Sequence, residues 1–491
     1  MTSDAPTTIA HRFSQLAELS PERDALVFPE MTYSYGMLWA LTKAFALKMS
    51  DEGVDQTSTI QLETKDLPVV LASLLASSLL GARLAEAAIT DALVADNPIT
   101  HRFSINHSEP SSQTACIIID ENWSPAEVLK ERSLSEILGR KIDMDAAWLI
   151  LSTSGTTGRP KVVGLSQHNV VRRSHAVSDE FMSGVTRASI LFPYNSRPFF
   201  ARALGALLNG ATIVDRGDWD FWTEAGVNRV TGSVTQAKNL KIGLTGIPKI
   251  PVIEVSGAKL SDQEALRLLG GFALVDDTYG ATETNKSFSN HLTLDGDGGL
   301  LRVGAPRDSV VEIVNEEGAL CGASEVGEVR VSNSYCATQY LFSESSSTDV
   351  LSEGYFYPGD IASWSRTAAL DILRRKEKNL INFDGVKLSS SVLEAVLVSV
   401  EGIAQAAAFE SPKKGSNDLI AFVVFEPDCN RPQVTERARK ACSDALGAKF
   451  APTKIWPINN IPRKIDGHPD YEKCAELILG AVQDSKPNAA T

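Results

Sequence analysis

The stretch Leu149–Lys161, LILSTSGTTGRPK, constrains this chain more than any other, because an apolar run of strand length breaks directly into a loop of hydroxyl residues and glycine. Ala147, Trp148, Leu149, Ile150 and Leu151 form the run, so the loop Thr153–Lys161 is expected to leave the end of a strand, where open α/β sheets hold their ligands. Gly155 and Gly158 let backbone N–H groups turn toward an anion, and Ser154, Thr156 and Thr157 add hydroxyl donors. Lys161 adds a full charge, and the set suits a polyphosphate. The spacing is not that of a Walker loop, since Lys161 stands three residues after Gly158 instead of next to it. A polar surface turn has the same composition, so the loop by itself leaves both readings open.

A chain of 491 residues with 43% hydrophobic content outgrows one typical core and predicts at least two domains. The formal net charge of −14 argues against a surface that seeks nucleic acid or anionic membrane, so an anionic ligand needs local donors and Mg²⁺. The six cysteines are scattered, without a C-x-x-C pair or metal-like spacing to the seven histidines, and read as reduced thiols. No basic region leads into an apolar one at the N-terminus, so no secretory signal is visible. The apolar Leu67–Ala82 contains three serines and is followed by Arg83, which favours a buried helix over a membrane span. A cytoplasmic protein is expected.

The order TSGTTGxPK resembles the phosphate loop of the adenylate-forming superfamily: acyl-CoA and aryl-CoA synthetases, adenylation domains of nonribosomal peptide synthesis, and luciferases. Further segments follow in the family's order. Pro21–Leu26 with Thr32–Tyr35 resembles its opening, and Val252–Leu260, VIEVSGAKL, resembles the strand and glycine turn that lies against adenine, where Gly257 and Ala258 permit close approach. Tyr279-Gly280-Ala281-Thr282-Glu283 is similar to a second signature. By that resemblance Tyr279 stacks on adenine, Thr282 bonds the α-phosphate, and Glu283 holds Mg²⁺, a hard cation that prefers oxygen. Gly354–Asp360 resembles a third, with Pro358 where Thr is usual, and assigns Asp360 to the ribose hydroxyls.

The resemblance spans nearly the whole chain and implies an α/β fold. Residues 1–377 would form a large ATP- and acyl-binding domain of α/β layers, with a small β-rich subdomain read from Gly304–Pro306, Val311–Val314 and Gly327–Arg330. Residues 378–491 would form a smaller, mobile α+β domain. The charged stretch Leu373–Leu388 resembles the family's hinge, which places the pivot at Lys378 and leaves Arg375 and Lys376 as alternatives for the nucleotide-contacting cation. Within Ser189–Val214 the substrate turn reads Pro193-Tyr194-Asn195-Ser196, without the aspartate of amino-acid adenylation domains, which argues against an α-amino acid. Asn195, Arg197 and Phe199 are candidate acyl-pocket residues, although Phe199 and Phe200 read equally well as core. His168 reads as a histidine capping or packing locally.

The implied reaction joins a carboxylic acid to ATP with Mg²⁺, releases pyrophosphate from an acyl-adenylate, and passes the acyl group to a thiol, most naturally coenzyme A. An acyl or peptidyl carrier protein, a non-thiol acceptor, or a nucleotide-binding protein with degenerate catalysis are the alternatives. The last is motivated by His468, which stands where the family has its adenylation lysine. A fixed cation there lowers the cost of bringing a carboxylate to a phosphate, and Lys464 lies nearby in the sequence. A histidine with an ordinary pKa of about 6.5 is only partly charged near neutrality. Activity is therefore expected to fall as pH rises through that titration, and a flat pH–rate profile removes His468 from the mechanism.

Overall fold

Strand residues that alternate between two separate hydrophobic cores build the molecule's largest layer. The computed structural model describes residues 8–90, 98–105, 114–137, 141–153, 161–181, 185–242, 249–337, 340–341, 350–375, 380–383, 386–411, 418–427, 429–463 and 469–483. The chain divides after Arg375 into two compact units. In the first, nine strands run in the order Leu300–Pro306, Asn285–Leu294, Phe272–Ala281, Ile250–Ser256, Arg229–Ser233, Arg187–Ile190, Thr212–Val214, Asp24–Val27 and Thr32–Ser34. The six from Phe272–Ala281 to Asp24–Val27 are parallel, and antiparallel strands close both edges. Leu26 and Ile213 enter one core while their neighbours Val27 and Val214 enter another, as the two-residue period of a strand covered on both faces requires.

A second sheet of seven strands carries Ala147–Thr153 and Lys161–Ser166 as an antiparallel pair beside the parallel strands Arg83–Ala85, Thr59–Glu63, His101–Ser104 and Ala115–Ile118. One core joins both sheets through the helices Ile9–Leu19, Tyr35–Asp51, Leu67–Leu80 and Arg197–Leu208. Helix starts are written in the sequence: the side chains of Thr8, Ser34 and Asp66 accept from the N–H groups of His11, Met37 and Val69. Leu67–Leu80 is buried on nearly every side, and two of its three serines are satisfied inside: Ser77 Oγ accepts from Trp148 Nε1 at 3.0 Å and Ser78 Oγ from the Ala10 N–H at 3.0 Å. Among the described residues no helix is long and apolar enough to cross a membrane.

Four antiparallel strands, Val310–Val314, Gly327–Ser332, Asp360–Trp364 and Leu370–Arg375, form a third, smaller sheet. Gly304–Pro306, expected there, belongs instead to the edge of the nine-stranded sheet, where Phe288 pairs with Pro306 and Asn290 with Gly304. A strand pattern reports a period but not the sheet that receives it. The second unit packs Ile403–Glu410, Leu419–Phe425 and Lys454–Pro457 with the helices Ser390–Val398, Arg431–Leu446 and Tyr471–Gln483. Ala408 and Ala421 face one of its cores, Phe409 and Ile420 the other.

Within the first unit lies a buried ion cluster. Glu254, fully enclosed, accepts from Arg202 at 2.8 Å, Lys286 at 2.5 Å and Arg229 at 3.2 Å. Glu180 binds Lys286 and Arg229 at 2.6 and 2.7 Å and also Arg307, which reaches Asp276 at 2.8 Å. Burial by itself would raise the Glu254 carboxyl; Lys286, Arg202 and Arg229 overcome it and hold it well below the usual carboxylate range. Removing one member leaves charges unpaired away from water. Glu254→Gln is therefore expected to destabilise the protein by roughly 3–5 kcal/mol, read as a lowered midpoint in chemical denaturation.

Candidate active site

The antiparallel pairing of Thr153 with Lys161 closes the loop between them at the end of two buried strands. Lys161 Nζ stands 4.1 Å over the ring of Tyr340, a cation–π distance, because the short strand Tyr340–Leu341 pairs with Val163 and Val162. Tyr340 Oη donates to Glu283 Oε1 at 3.0 Å. Burial, then the neighbouring Glu283 carboxylate, push that phenol far above its ordinary range and keep it a donor. Lys161 and Glu283, from different sheets, are thus joined through one aromatic ring.

Glu283 lies in the turn between Phe272–Ala281 and Asn285–Leu294. Gly280 makes this turn possible, since a Cβ there would stand 2.0 Å from the carbonyl oxygen of Asn285. Arg173 holds the turn from outside, donating Nη1 to the Thr282 carbonyl at 2.9 Å, Nη2 to the Glu283 carbonyl at 2.7 Å and Nε to the Tyr335 carbonyl at 3.2 Å. Its partners are neutral carbonyls, and burial pulls this guanidinium down to about 10.

Arg197 makes a second tie. Its Nη1 donates to the Ser152 carbonyl at 2.9 Å and to Thr282 Oγ1, and its backbone N–H donates to Glu86 Oε2 at 2.9 Å. Glu86 Oε1 accepts both the N–H and the hydroxyl of Ser152 at 2.5 Å. The end of the hairpin and the turn at Thr282 are therefore held in one hydrogen-bonded frame. Tyr279 Oη donates to Asp360 Oδ2 at 2.6 Å, and Asp360 is buried at the start of its strand after Gly359, whose φ is +80°.

Beside this frame is a cavity of about 140 Å³. Arg197, Gly257, Gly280, Ala281 and Thr282 line it; Gly257 ends its strand at φ +89°, a conformation that favours glycine, and Ala258 is exposed. Two of the expected pocket residues stand elsewhere. Phe199 is fully buried in the core against Tyr194, with ring centres 5.1 Å apart, and its neighbour Phe200 lines the cavity instead. Asn195 is half-buried, and its carbonyl accepts from the Ala87 N–H at 3.2 Å. His168 pairs with Asp145 at 2.8 Å on the surface. Ser154, Gly155, Thr156, Thr157, Gly158, Lys378, Lys464 and His468 lie outside the described residues, and of Arg375 only the strand backbone opposite Asp360 is described.

Glu86, Arg173 and Tyr340 are the residues that sequence reasoning missed. Glu86 offered one faint signal, a lone carboxylate directly after the short strand Arg83–Ala85. Glu283 Oε2 carries no hydrogen bond among the described residues, so a carboxylate oxygen is available to a hard cation. The described residues contain no cluster of three or more acidic, histidine or cysteine ligands, so a cation here would be shared with the phosphates of a nucleotide.

The sequence profile of AMP-binding enzymes matches residues 13–341. The chain belongs to this adenylate-forming family. The AMP-binding enzyme is 24% identical to the delta-poly-L-ornithine synthetase of Acinetobacter baumannii over 97% of its own length, but spans only 37% of that protein. It is 29% identical to the oxalate–CoA ligase of Arabidopsis thaliana over 66% of either chain. In three dimensions it is similar to the O-succinylbenzoate coenzyme A synthetase of Bacillus subtilis in complex with ATP and magnesium ion, with a TM-score of 0.71 at 20% identity, covering 93% of this chain and 98% of that one. That likeness shows the fold.

Because the Gly280 contact is with backbone, no side-chain movement relieves it. Gly280→Ala should displace Thr282 and Glu283 and weaken ATP binding by at least about tenfold in calorimetric titration.

Proposed function

We propose that this AMP-binding enzyme activates a carboxylic acid with ATP and then forms a thioester, with coenzyme A as the acceptor. One observation carries the reading: the Thr282 hydroxyl and the Glu283 carboxylate of one turn meet the Lys161 ammonium of a strand in the other sheet, and Tyr340, Arg173 and Arg197 tie them together. The names of the oxalate–CoA ligase and of the O-succinylbenzoate coenzyme A synthetase support it.

In the first half-reaction a carboxylate oxygen attacks the α-phosphorus, and the bond to the bridging oxygen breaks as pyrophosphate leaves with its electron pair. Thr282 Oγ1 donates to an α-phosphate oxygen, and Arg197 and Lys161 stand as fixed cations where negative charges meet. Bound at Glu283 Oε2, Mg²⁺ would neutralise part of the triphosphate charge. Tyr279 stacks on adenine, Asp360 takes the ribose hydroxyls, and Gly257 admits the flat base. In the second half-reaction a thiolate attacks the acyl carbon and AMP leaves. The unit beyond Lys378 turns about that residue between the two halves, gating access while the chemistry stays with the first unit. The acid is a small molecule, and the reaction belongs to the cytoplasm.

A second reading, loading of a carrier-protein thiol, is supported by similarity to nonribosomal peptide synthetases. Acid-dependent exchange of labelled pyrophosphate into ATP, followed by mass spectrometry with coenzyme A or a pantetheinylated carrier protein, separates the acceptors. Exchange is expected with at least one acid, and Glu283→Gln should lower it roughly a hundredfold. Tight ATP binding without exchange for any acid would establish the degenerate nucleotide-binding alternative.

A further inference from the structure

The wall of the cavity beside Thr282 carries four cationic side chains, Arg173, Arg197, Arg202 and Lys286, and no carboxylate. The carboxylates behind the wall are already shared. Glu180, Glu254 and Asp276 face four cations, Arg202, Arg229, Lys286 and Arg307, a surplus of one positive charge. Arg173 and Arg197 add two more and form no ion pair among the described residues. Glu86 and Glu283 reduce the excess without abolishing it, and Glu86 faces Ser152 and the Arg197 backbone.

Donors remain unspent on this wall. Lys286 uses two of its three, on Glu180 and Glu254, and Arg197 Nε and Nη2 carry no hydrogen bond among the described residues. The two cations stand at successive places along one hairpin end: Lys286 is paired across it with Gly280, and Arg197 touches Thr282 two residues further on. The cavity they border measures about 140 Å³.

We propose that this cavity takes a short acid bearing a second anionic group, a small dicarboxylate whose reacting end lies at Thr282 and Arg197 and whose far end is held by Lys286. The assignment rests on the adenylation reading above and names its substrate class. An acid with an ammonium meets a wall that carries a net surplus of positive charge and no carboxylate. A purely aliphatic tail finds leucines on part of the wall, Leu149 and Leu151 among them, but strips water from the unspent donor of Lys286 without replacing it. A second carboxylate satisfies that donor and neutralises the surplus charge.

The test is pyrophosphate exchange by the full chain with three sets of acids of matched length: malonate, succinate and glutarate; propionate, butyrate and valerate; alanine and ornithine. A dicarboxylate is expected to exceed its matched monocarboxylate by at least about a hundredfold in kcat/KM. Lys286→Met should raise KM for the dicarboxylate at least about tenfold more than it raises KM for the matched monocarboxylate. Because Lys286 belongs to the ion cluster, Ala201→Glu serves as a second variant, placing a carboxylate on an exposed position of the cavity rim outside that cluster. It should abolish the dicarboxylate preference with an unchanged melting temperature. Robust exchange that favours monocarboxylates or amino acids overturns the dicarboxylate assignment and leaves adenylation standing. Failure of every acid overturns the adenylation reading itself, and the assignment with it.

Discussion

The Arg173 guanidinium is the constraint on which the geometry of this molecule's reactive end depends. It sits on the helix Gln167–His175, which continues directly from the strand after the hydroxyl-rich loop, and holds three carbonyls: those of Thr282 and Glu283 at a turn of the nine-stranded sheet and that of Tyr335. Donors fixed in a planar fork restrict both distance and angle, which a lysine on a flexible stem could not do. Burial without a carboxylate partner makes the arrangement costly, as the depressed pKa records. A cost of that kind persists only where the surrounding packing enforces it, and here two sheets meet at one turn.

Glu86 solves the complementary problem from the other side. Its two oxygens bind Ser152, at the end of the hairpin, and the first N–H of the helix Arg197–Leu208, so a helix N-terminus and a strand end share one carboxylate. The negative charge at the helix start is electrostatically favourable, and it orients the Arg197 side chain toward Thr282. The same helix carries Arg202 into the ion cluster one turn and a half later. Frame and cluster are thus connected through a rigid element, and together they define one wall of the cavity.

What could be read in the chain's order and what could not follow from the range of the interactions. The apolar runs Leu67–Ala82 and Ala147–Leu151 are local patterns, and the structure has a helix over Leu67–Leu80 and a strand over Ala147–Thr153. Tyr279, Gly280, Thr282 and Glu283 are neighbours in sequence, so their grouping needed no knowledge of tertiary contacts. Glu86 meets Ser152 across 66 positions and Arg173 meets Glu283 across 110, and no periodicity encodes either meeting. Phe199 and Phe200 show the limit at its sharpest: both are aromatic, adjacent and buried in one core, but only Phe200 also borders the cavity, a difference that depends on the phase of the helix against the sheet.

The same distinction bears on the histidine at position 468, where the resembled family has a lysine. A cation needed at the α-phosphate can come from any element that reaches Thr282, and Arg197 already reaches it, anchored by Ser152 and by the Glu86 contact to its own backbone. The electrostatic demand of the proposed adenylation therefore falls in part on a residue inside the first unit. A histidine in place of the lysine at position 468 then removes one of several cations on which the proposed step can draw, Arg197 and Lys161 among them.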